Sequence, residues 1–316
     1  MDVNNIKKNP RYSYSALSVF LHCPFQFFEK YVLKNIADEQ TLALSLGSIL
    51  HKGKELVSLD LMAGRSPDYA TIEQYILNGY IGADKAGEKE ERLPGIINLK
   101  QRFFEDWAAI DNKSGLTYEE KLENYFDGLK TEEHDTEWHT LGVEVPFEFD
   151  FEGVTLFGFI DNISENSRGQ LRIVDYKTSK QIFQDKDVKT PLQMLIYYLA
   201  TQNMYPGREI VQCLYDFIAL GKTQEAGTKG WINRGTVKLR KTLASIEECK
   251  KTCIWKPAPT PLCYWCHYSK SNPKADQVTK HLCDYHSLYT PEYRDFISVN
   301  KPWDGKPYKP SIQFII

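Results

Sequence analysis

The sequence lacks the features that mark membrane, secreted and fibrous proteins. No apolar run approaches the roughly 18–20 residues of a membrane span, and residues 1–8 have no apolar stretch typical of a secretory signal. There is also no internal repeat, no low-complexity tract and no P-loop of the kind that helicases use. These absences predict a folded, soluble protein, for which the cytoplasm is the expected location.

Excess positive charge is absent as well. The net charge is -3 over 316 residues, which disfavours passive coating of nucleic acid but is compatible with an enzyme that has a local basic groove. A chain of this length, with 13% aromatic residues, can bury a substantial core as one large domain or as a domain with an insertion.

The most informative pattern lies between residues 154 and 177. Two apolar strand patterns end in Asp161 and in Asp175-Tyr176-Lys177. Side chains alternate faces along a strand, so Asp175 and Lys177 point the same way. The short polar link between the strands contains Gly169 and predicts a hairpin that places Asp161 beside Asp175. Two carboxylates and an ammonium group at a sheet edge suit a metal site that hydrolyses phosphodiesters, although Asp-x-Lys alone is more often a surface ion pair.

Four further polar residues are weaker candidates. His51 lies on a predicted helix and can bind a metal through its neutral imidazole, although a lone histidine on a helix is more often structural. Gln193 and Tyr197 share one face of a predicted helix and would hold a phosphate, orient Lys177 or form a polar edge of a packing helix. Glu144 lies on a predicted strand, on the face opposite to its apolar residues.

Seven cysteines in a cytoplasmic chain do not indicate a disulfide framework, since the number is odd and the compartment is reducing. Cys263 and Cys266 are two residues apart and can bind one metal centre together. With Cys283 and one more ligand they would complete a closed site. The candidates for the fourth ligand are Cys23, Cys253 and His267. Cys213 and Cys249 lie in strand and helix patterns and are predicted to be ordinary core or surface thiols.

The secondary-structure patterns complete this picture. Two short helices broken at Pro24 are predicted within 13–33, and further helices over 44–63, most of 70–130, 190–203 and 243–254. Strands are predicted over 142–151, 154–161, 171–178, 209–219 and 231–239. The tail after Pro302 is predicted to be extended.

Taken in order, the motifs resemble the RecB-like exonuclease branch of the PD-(D/E)XK nuclease superfamily. The resemblance covers about half of the chain and rests on five motifs. These are Ser15-Ala-Leu with Cys23-Pro24, Gly47-Ser-Ile-Leu-His51, Gly158-Phe-Ile-Asp161, Val174-Asp175-Tyr-Lys177 and Gln193-Met-Leu-Ile-Tyr197.

The resemblance implies roles for these residues. His51, Asp161 and Asp175 would bind Mg²⁺ or Mn²⁺ with help from the backbone carbonyl of Tyr176, and Lys177 would be the catalytic lysine. Gln193 and Tyr197 would contact DNA or support the site, and Glu144 is a weaker candidate for the same supporting role.

The chain also resembles the iron–sulfur members of this branch, such as the AddB nuclease domain and the CRISPR-adaptation nucleases. In these proteins one N-terminal and three C-terminal cysteines surround a [4Fe–4S] cluster. The resemblance implies that Cys23, Cys263, Cys266 and Cys283 do so here, with zinc as the alternative metal. The interval between Cys266 and Cys283 is longer than is usual in the family.

The expected fold is α/β, with a restriction-endonuclease-like core in which helices flank a central mixed β-sheet. We expect a single nuclease domain over 1–316, with a mainly helical insertion over 52–140 and a catalytic core over 141–240. A cysteine-rich segment over 253–286 is expected to pack on residues 13–33.

The expected function is metal-dependent exonucleolytic hydrolysis of DNA, acting on single strands or duplex ends. The alternatives are a structure-specific or nicking endonuclease and a non-catalytic DNA-binding protein with a structural metal site. Besides DNA, the expected partner is a separate helicase or recombinase. A role in recombination, repair or phage DNA processing would follow by analogy, in the host cytoplasm if the chain is encoded by a phage.

Overall fold

The computed structural model describes residues 10–35, 41–84, 87–108, 110, 114–131, 137–179, 181–184, 188–269, 272 and 283. The chain divides into two compact units, Met1–Arg11 with Gln40–Thr236 and Tyr12–Glu39 with Val237–Ile316. Within the described ranges, no helix is both long enough and apolar enough to cross a membrane. The predicted extended tail after Pro302 lies outside the described residues.

The helices and strands cover much of the described part of the chain. In chain order they are β1 (Arg11–Ser13), α1 (Tyr14–His22), α2 (Pro24–Phe27), a π-helical turn (Phe28–Val32), α3 (Leu42–Met62), α4 (Tyr69–Asn78), β2 (Gly79–Ala83), β3 (Glu90–Pro94), α5 (Ile96–Arg102), α6 (Phe104–Ala108), α7 (Tyr118–Thr131), β4 (Trp138–Phe151), β5 (Val154–Asn166), β6 (Leu171–Lys177), α8 (Leu192–Met204), β7 (Ile210–Phe217), β8 (Lys222–Glu225), α9 (Trp231–Thr252) and a 3₁₀ turn (Pro261–Trp265).

The first unit is built on a mixed β-sheet. β4 pairs antiparallel with β5, β5 antiparallel with β6, β6 parallel with β7, and β7 antiparallel with β8. The parallel pair requires a crossover, which α8 provides. This arrangement, with helices against a mixed sheet, confirms the predicted α/β fold class.

The predicted hairpin around Gly169 is present. Asn162 pairs with Val174 across β5 and β6, and this register places Asp161 opposite Asp175. Gly169 has a φ of 74°, a left-handed conformation that glycine adopts at little cost and that the tight turn requires.

Helices pack on this sheet through apolar faces. Leu46, Ile49 and Leu50 of α3 belong to one buried cluster with Val174 and Tyr176 of β6. On the other face Lys177 contacts α8, and that helix buries Met194, Leu195 and Ile196. β6 therefore has helices on both faces, with α3 against Val174 and Tyr176 and α8 beside Lys177.

Three predicted segments differ from the structure. The strand predicted over 154–161 continues to Asn166 as β5, so Asp161 lies within the strand and not at its end. The stretch predicted to be mostly helical includes an antiparallel hairpin of β2 and β3, with Ile81 paired to Arg92. The strand predicted over 231–239 is wrong, since these residues form the first half of the continuous helix α9. Leu239, Leu243 and Ile246 are among its buried residues. These residues are spaced three and four positions apart, as on one face of a helix. This helical pattern outweighs the short alternating pattern at the start of α9 that predicted a strand.

Gly53 marks a close contact between α3 and the helices that follow it. A Cβ atom there would overlap the hydroxyl of Tyr125 and lie 2.9 Å from Cδ1 of Ile76. Tyr125 is fully buried and donates a 2.6 Å hydrogen bond to the carbonyl of Leu50. We therefore expect Gly53→Ala to lower the free energy of unfolding by about 1–3 kcal/mol, measured by denaturant titration.

Gly128 provides the matched control because it also lies within a helix. A Cβ there has no atom within 4 Å, so Gly128→Ala should raise stability by up to about 1 kcal/mol through helix propensity. Equal effects of the two substitutions would contradict the packing argument.

Candidate active site

Three potential metal ligands converge where α3, β4 and β5 meet. His51 of α3, Glu144 of β4 and Asp161 of β5 offer ligand atoms that all lie within 4.8 Å of one another. His51 Nδ1 is 3.7 Å from Asp161 Oδ2. One imidazole and two carboxylates form a donor set suited to Mn²⁺ or Mg²⁺.

Backbone geometry directs Glu144 into this group. Its neighbours Val143 and Val145 pair with Asn162 and Ile160, so Glu144 lies directly across from Asp161. Glu144 has a φ of 47°, a left-handed conformation that is unfavourable for a non-glycine residue. Strain of this kind is characteristic of functional positions, where the surrounding structure holds it.

Asp161 is held by the neighbouring strand. Its Oδ2 accepts a 2.7 Å hydrogen bond from the backbone N–H of Tyr176, and the residue is only 8% exposed. The same oxygen faces His51. The side chain therefore links β5 to β6 at the point where the candidate metal ligands meet.

Asp175 is the most deeply buried carboxylate of the site, at 1% exposure. Its Oδ2 lies 2.5 Å from Lys177 Nζ. Burial raises the pKa of Asp175 to about 6, the charge of Lys177 opposes this rise, and the charge of Asp161 adds to it. A cation bound nearby would stabilise the charged form of this carboxylate.

A chain of hydrogen bonds continues from this ion pair onto α8. Lys177 Nζ donates to Gln193 Oε1 at 2.8 Å, and Gln193 Nε2 donates to the Tyr197 hydroxyl at 3.0 Å. Burial, and then the charges of Asp175 and Asp161, raise the pKa of Tyr197, so its hydroxyl stays neutral. Gln193 thereby holds the Lys177 ammonium in one position beside Asp175.

The sequence-predicted residues thus form two neighbouring sets. His51 and Asp161 lie together, while Asp175 pairs with Lys177 and is not a member of the three-residue group. Glu144, predicted only as a supporting residue, joins that group. The Glu152-Gly153 pair between the two strand patterns could have indicated this. In the structure both residues have positive φ, as in a two-residue hairpin turn. A two-residue turn there sets the register that brings residue 144 opposite residue 161.

The second unit contains the candidate cysteine site. Cys23 Sγ accepts a hydrogen bond from the Ala258 N–H, and Cys263 Sγ accepts one from the Thr260 N–H, both at 3.4 Å. Burial raises the pKa of Cys266 to about 12. The neighbouring thiols of Cys23, Cys263 and Cys283 raise the pKa of Cys266 further. Backbone N–H groups directed at sulfur would stabilise thiolate ligands.

Aromatic packing brings the two ends of this unit together. The Trp255 ring stacks on Phe27 and Phe28 at 5.7 and 5.3 Å between centroids. The buried Tyr268 donates a hydrogen bond to the carbonyl of Asn35. Cys23 and the segment from Cys263 onward are therefore held close although about 240 residues separate them in the sequence.

The remaining cysteines have different surroundings. Cys253 is exposed and donates a 3.7 Å hydrogen bond to the carbonyl of Lys250. Cys213 lies in β7, where burial raises the pKa of its thiol to about 12. Cys249 is half-buried in α9.

The family model of the PD-(D/E)XK nuclease superfamily matches residues 11–271. Among solved structures, this chain is similar to a crystal structure of a protein from Eubacterium rectale named as a candidate exonuclease. The identity is 13%, the match covers 88% of this chain and 96% of that chain, and the TM-score is 0.43. A comparison with curated proteins found no significant match. Because the family model spans most of the sequence, this chain belongs to the PD-(D/E)XK nuclease superfamily.

Proposed function

We propose that the protein is a metal-dependent DNA exonuclease that hydrolyses phosphodiester bonds of single strands or of duplex ends. The observation that carries this proposal is the grouping of His51, Glu144 and Asp161 beside the Asp175–Lys177 pair. An exonuclease is favoured by the order of the motifs around Gly47-x-x-x-His51 and Gln193-x-x-x-Tyr197, which resembles the RecB-like branch.

The side chains fit a hydrolytic role. His51, Glu144 and Asp161 would hold Mg²⁺ or Mn²⁺, with Asp175 and the carbonyl of Tyr176 as further ligands. When bound, such an ion would lower the pKa of a water molecule and neutralise charge on the phosphate. Lys177, positioned by Gln193, would donate hydrogen bonds to the attacking water or to the developing negative charge.

The test uses matched linear and circular single-stranded DNA of the same sequence, with Mg²⁺ or Mn²⁺ and with EDTA as the control. We expect metal-dependent release of nucleotides from the linear substrate and an intact circle. Cleavage of the circle at a comparable rate would favour an endonuclease. Binding without cleavage of either substrate would indicate a non-catalytic DNA-binding protein.

The biological setting that we propose is recombination, repair or phage DNA processing in the cytoplasm, together with a separate helicase or recombinase. In this proposal residues 141–240 form the catalytic core and residues 52–140 the insertion of one nuclease domain. The segment 253–286 is proposed to carry a separate metal site with residues 13–33.

For that second site we propose a [4Fe–4S] cluster held by Cys23, Cys263, Cys266 and Cys283. Two observations support this ligand set: the other three thiols raise the pKa of Cys266, and backbone N–H groups donate to Cys23 and Cys263. The cluster would join the two ends of the second unit and contribute stability rather than hydrolysis. Zinc is the alternative metal for the same four sulfur atoms.

Protein purified under anaerobic conditions is therefore expected to be brown and to absorb near ~400 nm. Cys23→Ser should remove this absorbance and lower the melting temperature, because it removes one ligand. Cys253→Ser should keep the absorbance, since this exposed cysteine is assigned no ligand role. A colourless preparation that contains zinc, or loss of colour in Cys253→Ser alone, would contradict the assignment.

A further inference from the structure

A cavity of about 350 Å³ opens beside the candidate metal ligands. It lies between the first half of α3 and strand β3, and we call it the α3–β3 cavity. His51 and Glu144 line it and also belong to the metal-ligand group. A phosphate bound at the metal would therefore be adjacent to the entrance of the cavity.

Small and apolar groups form much of its wall. α3 contributes Ala43, Leu44 and Gly47, and β3 contributes Leu93. A Cβ atom on Gly47 would lie 3.2 Å from Thr178 Oγ1, so the helix approaches the residue after β6 closely at this point. These surfaces suit the flat apolar face of a nucleobase.

The charged groups in the cavity are predominantly acidic. Lys52 Nζ lies 2.7 Å from Glu55 Oε2 and 2.9 Å from Glu91 Oε2, and Glu144 adds a further carboxylate. Three carboxylates and one ammonium group therefore line the cavity. A phosphate would be repelled from this space, whereas the amino groups of a base can donate hydrogen bonds to carboxylates.

Lys52 also holds in place the β2–β3 hairpin, which forms one wall of the cavity. Lys52 is 5% exposed and connects α3 to Glu91 of β3, and its ammonium also lies 5.0 Å from the ring centroid of Tyr80 in β2. Lys52, which directly follows His51 in α3, therefore contacts both strands of the β2–β3 hairpin. The hairpin wall is preorganised, so binding requires little ordering of the protein.

We propose that the α3–β3 cavity binds the base and sugar of one unpaired nucleotide next to the scissile phosphate. This inference rests on the proposed nuclease function and adds the substrate class. The volume of the cavity is near the lower end of the usual range for ligand sites, about 300–1,000 Å³. The cavity therefore has room for one nucleotide but not for a base pair. The enzyme would accordingly act on unpaired strand ends and act slowly on blunt duplex ends, where a base must first leave the stack.

Leu44→Trp tests the proposal. Leu44 is 56% exposed, so tryptophan should be tolerated there and should obstruct the cavity. The matched control is Leu59→Trp on the same helix, where Leu59 is 41% exposed and does not line the cavity. Each protein is assayed with Mn²⁺ on a single-stranded oligonucleotide and on bis(p-nitrophenyl) phosphate, a phosphodiester that has no base.

We expect Leu44→Trp to lower kcat/KM for both substrates unequally: the loss for the oligonucleotide should exceed the loss for the small diester by at least about tenfold. This difference corresponds to about 1.4 kcal/mol of binding free energy in the cavity. Leu59→Trp should match the wild type on both substrates, and the wild type should digest an unpaired end faster than a blunt end. Equal losses on both substrates, no loss at all, or equal rates on blunt and unpaired ends would overturn the cavity assignment and leave the nuclease proposal standing. A wild type inactive on both substrates would instead overturn the nuclease proposal.

Discussion

Replacing Lys177 by alanine is expected to reduce DNA cleavage by roughly 10²–10⁴-fold, the usual range for removing a general acid–base or charge-stabilising group. Lys177 Nζ contacts Asp175 and Gln193 at 2.5 and 2.8 Å, so it is held at one position within the site. The variant loses the ammonium group but leaves His51, Glu144 and Asp161 in place. Initial rates on labelled single-stranded DNA with Mn²⁺ would measure the effect.

Lys222→Ala is the matched control, since Lys222 is an exposed lysine at the start of β8 in the same sheet. It should retain wild-type activity. Thermal melting of both variants would show whether the fold is kept. If Lys177→Ala and Lys222→Ala cleave DNA equally fast, the catalytic assignment of Lys177 fails.

The second large effect is expected at Asp161. Two substitutions there separate its proposed role as a metal ligand from its role as a hydrogen-bond acceptor. Asp161→Asn removes the charge but keeps an oxygen that can accept the hydrogen bond from the Tyr176 N–H. Calorimetric affinity for Mn²⁺ and DNA cleavage should both fall at least about tenfold, in the range seen when metal-site interactions are lost. The melting temperature should change little.

Asp161→Ala removes the charge and the hydrogen-bond acceptor together. It leaves the buried N–H of Tyr176 without this acceptor, so the free energy of unfolding should fall by about 1–3 kcal/mol in addition to the loss of metal binding. Asp150→Asn is the control, because Asp150 also accepts a backbone hydrogen bond, from Gly153, but lies outside the metal-ligand group. Unchanged Mn²⁺ affinity in Asp161→Asn would contradict the proposed metal site.

Much of the site follows from local patterns. Strand alternation put Asp175 and Lys177 on one face, and the turn at Gly169 set the register that places Asp161 opposite Asp175. The four-residue spacing of Gln193 and Tyr197 put both on one face of α8, where they hydrogen-bond to each other. Each of these relations joins residues within one helix or one hairpin, so backbone geometry alone determines it.

Other features required contacts between distant segments. The strained φ of Glu144 and its place beside His51 depend on how α3 packs near β4, and strand alternation alone gives no indication of either. The β2–β3 hairpin was missed because its short strands are partly exposed and show little apolar periodicity. The first half of α9 was misread because a short alternating stretch resembles a strand until Leu239, Leu243 and Ile246 are seen to be buried together.

The sequence therefore determined the types of chemical group, their order and the local geometry of the Asp161, Asp175 and Lys177 set. Only the tertiary structure brought His51 to Glu144 and Asp161, joined Lys52 to the β2–β3 hairpin, and placed Cys23 near Cys263 and Cys266. The physical reason is that a hairpin or helix has its geometry set by hydrogen bonds between neighbouring residues. The distance between remote segments is set by which apolar faces pack together, and that depends on the whole chain.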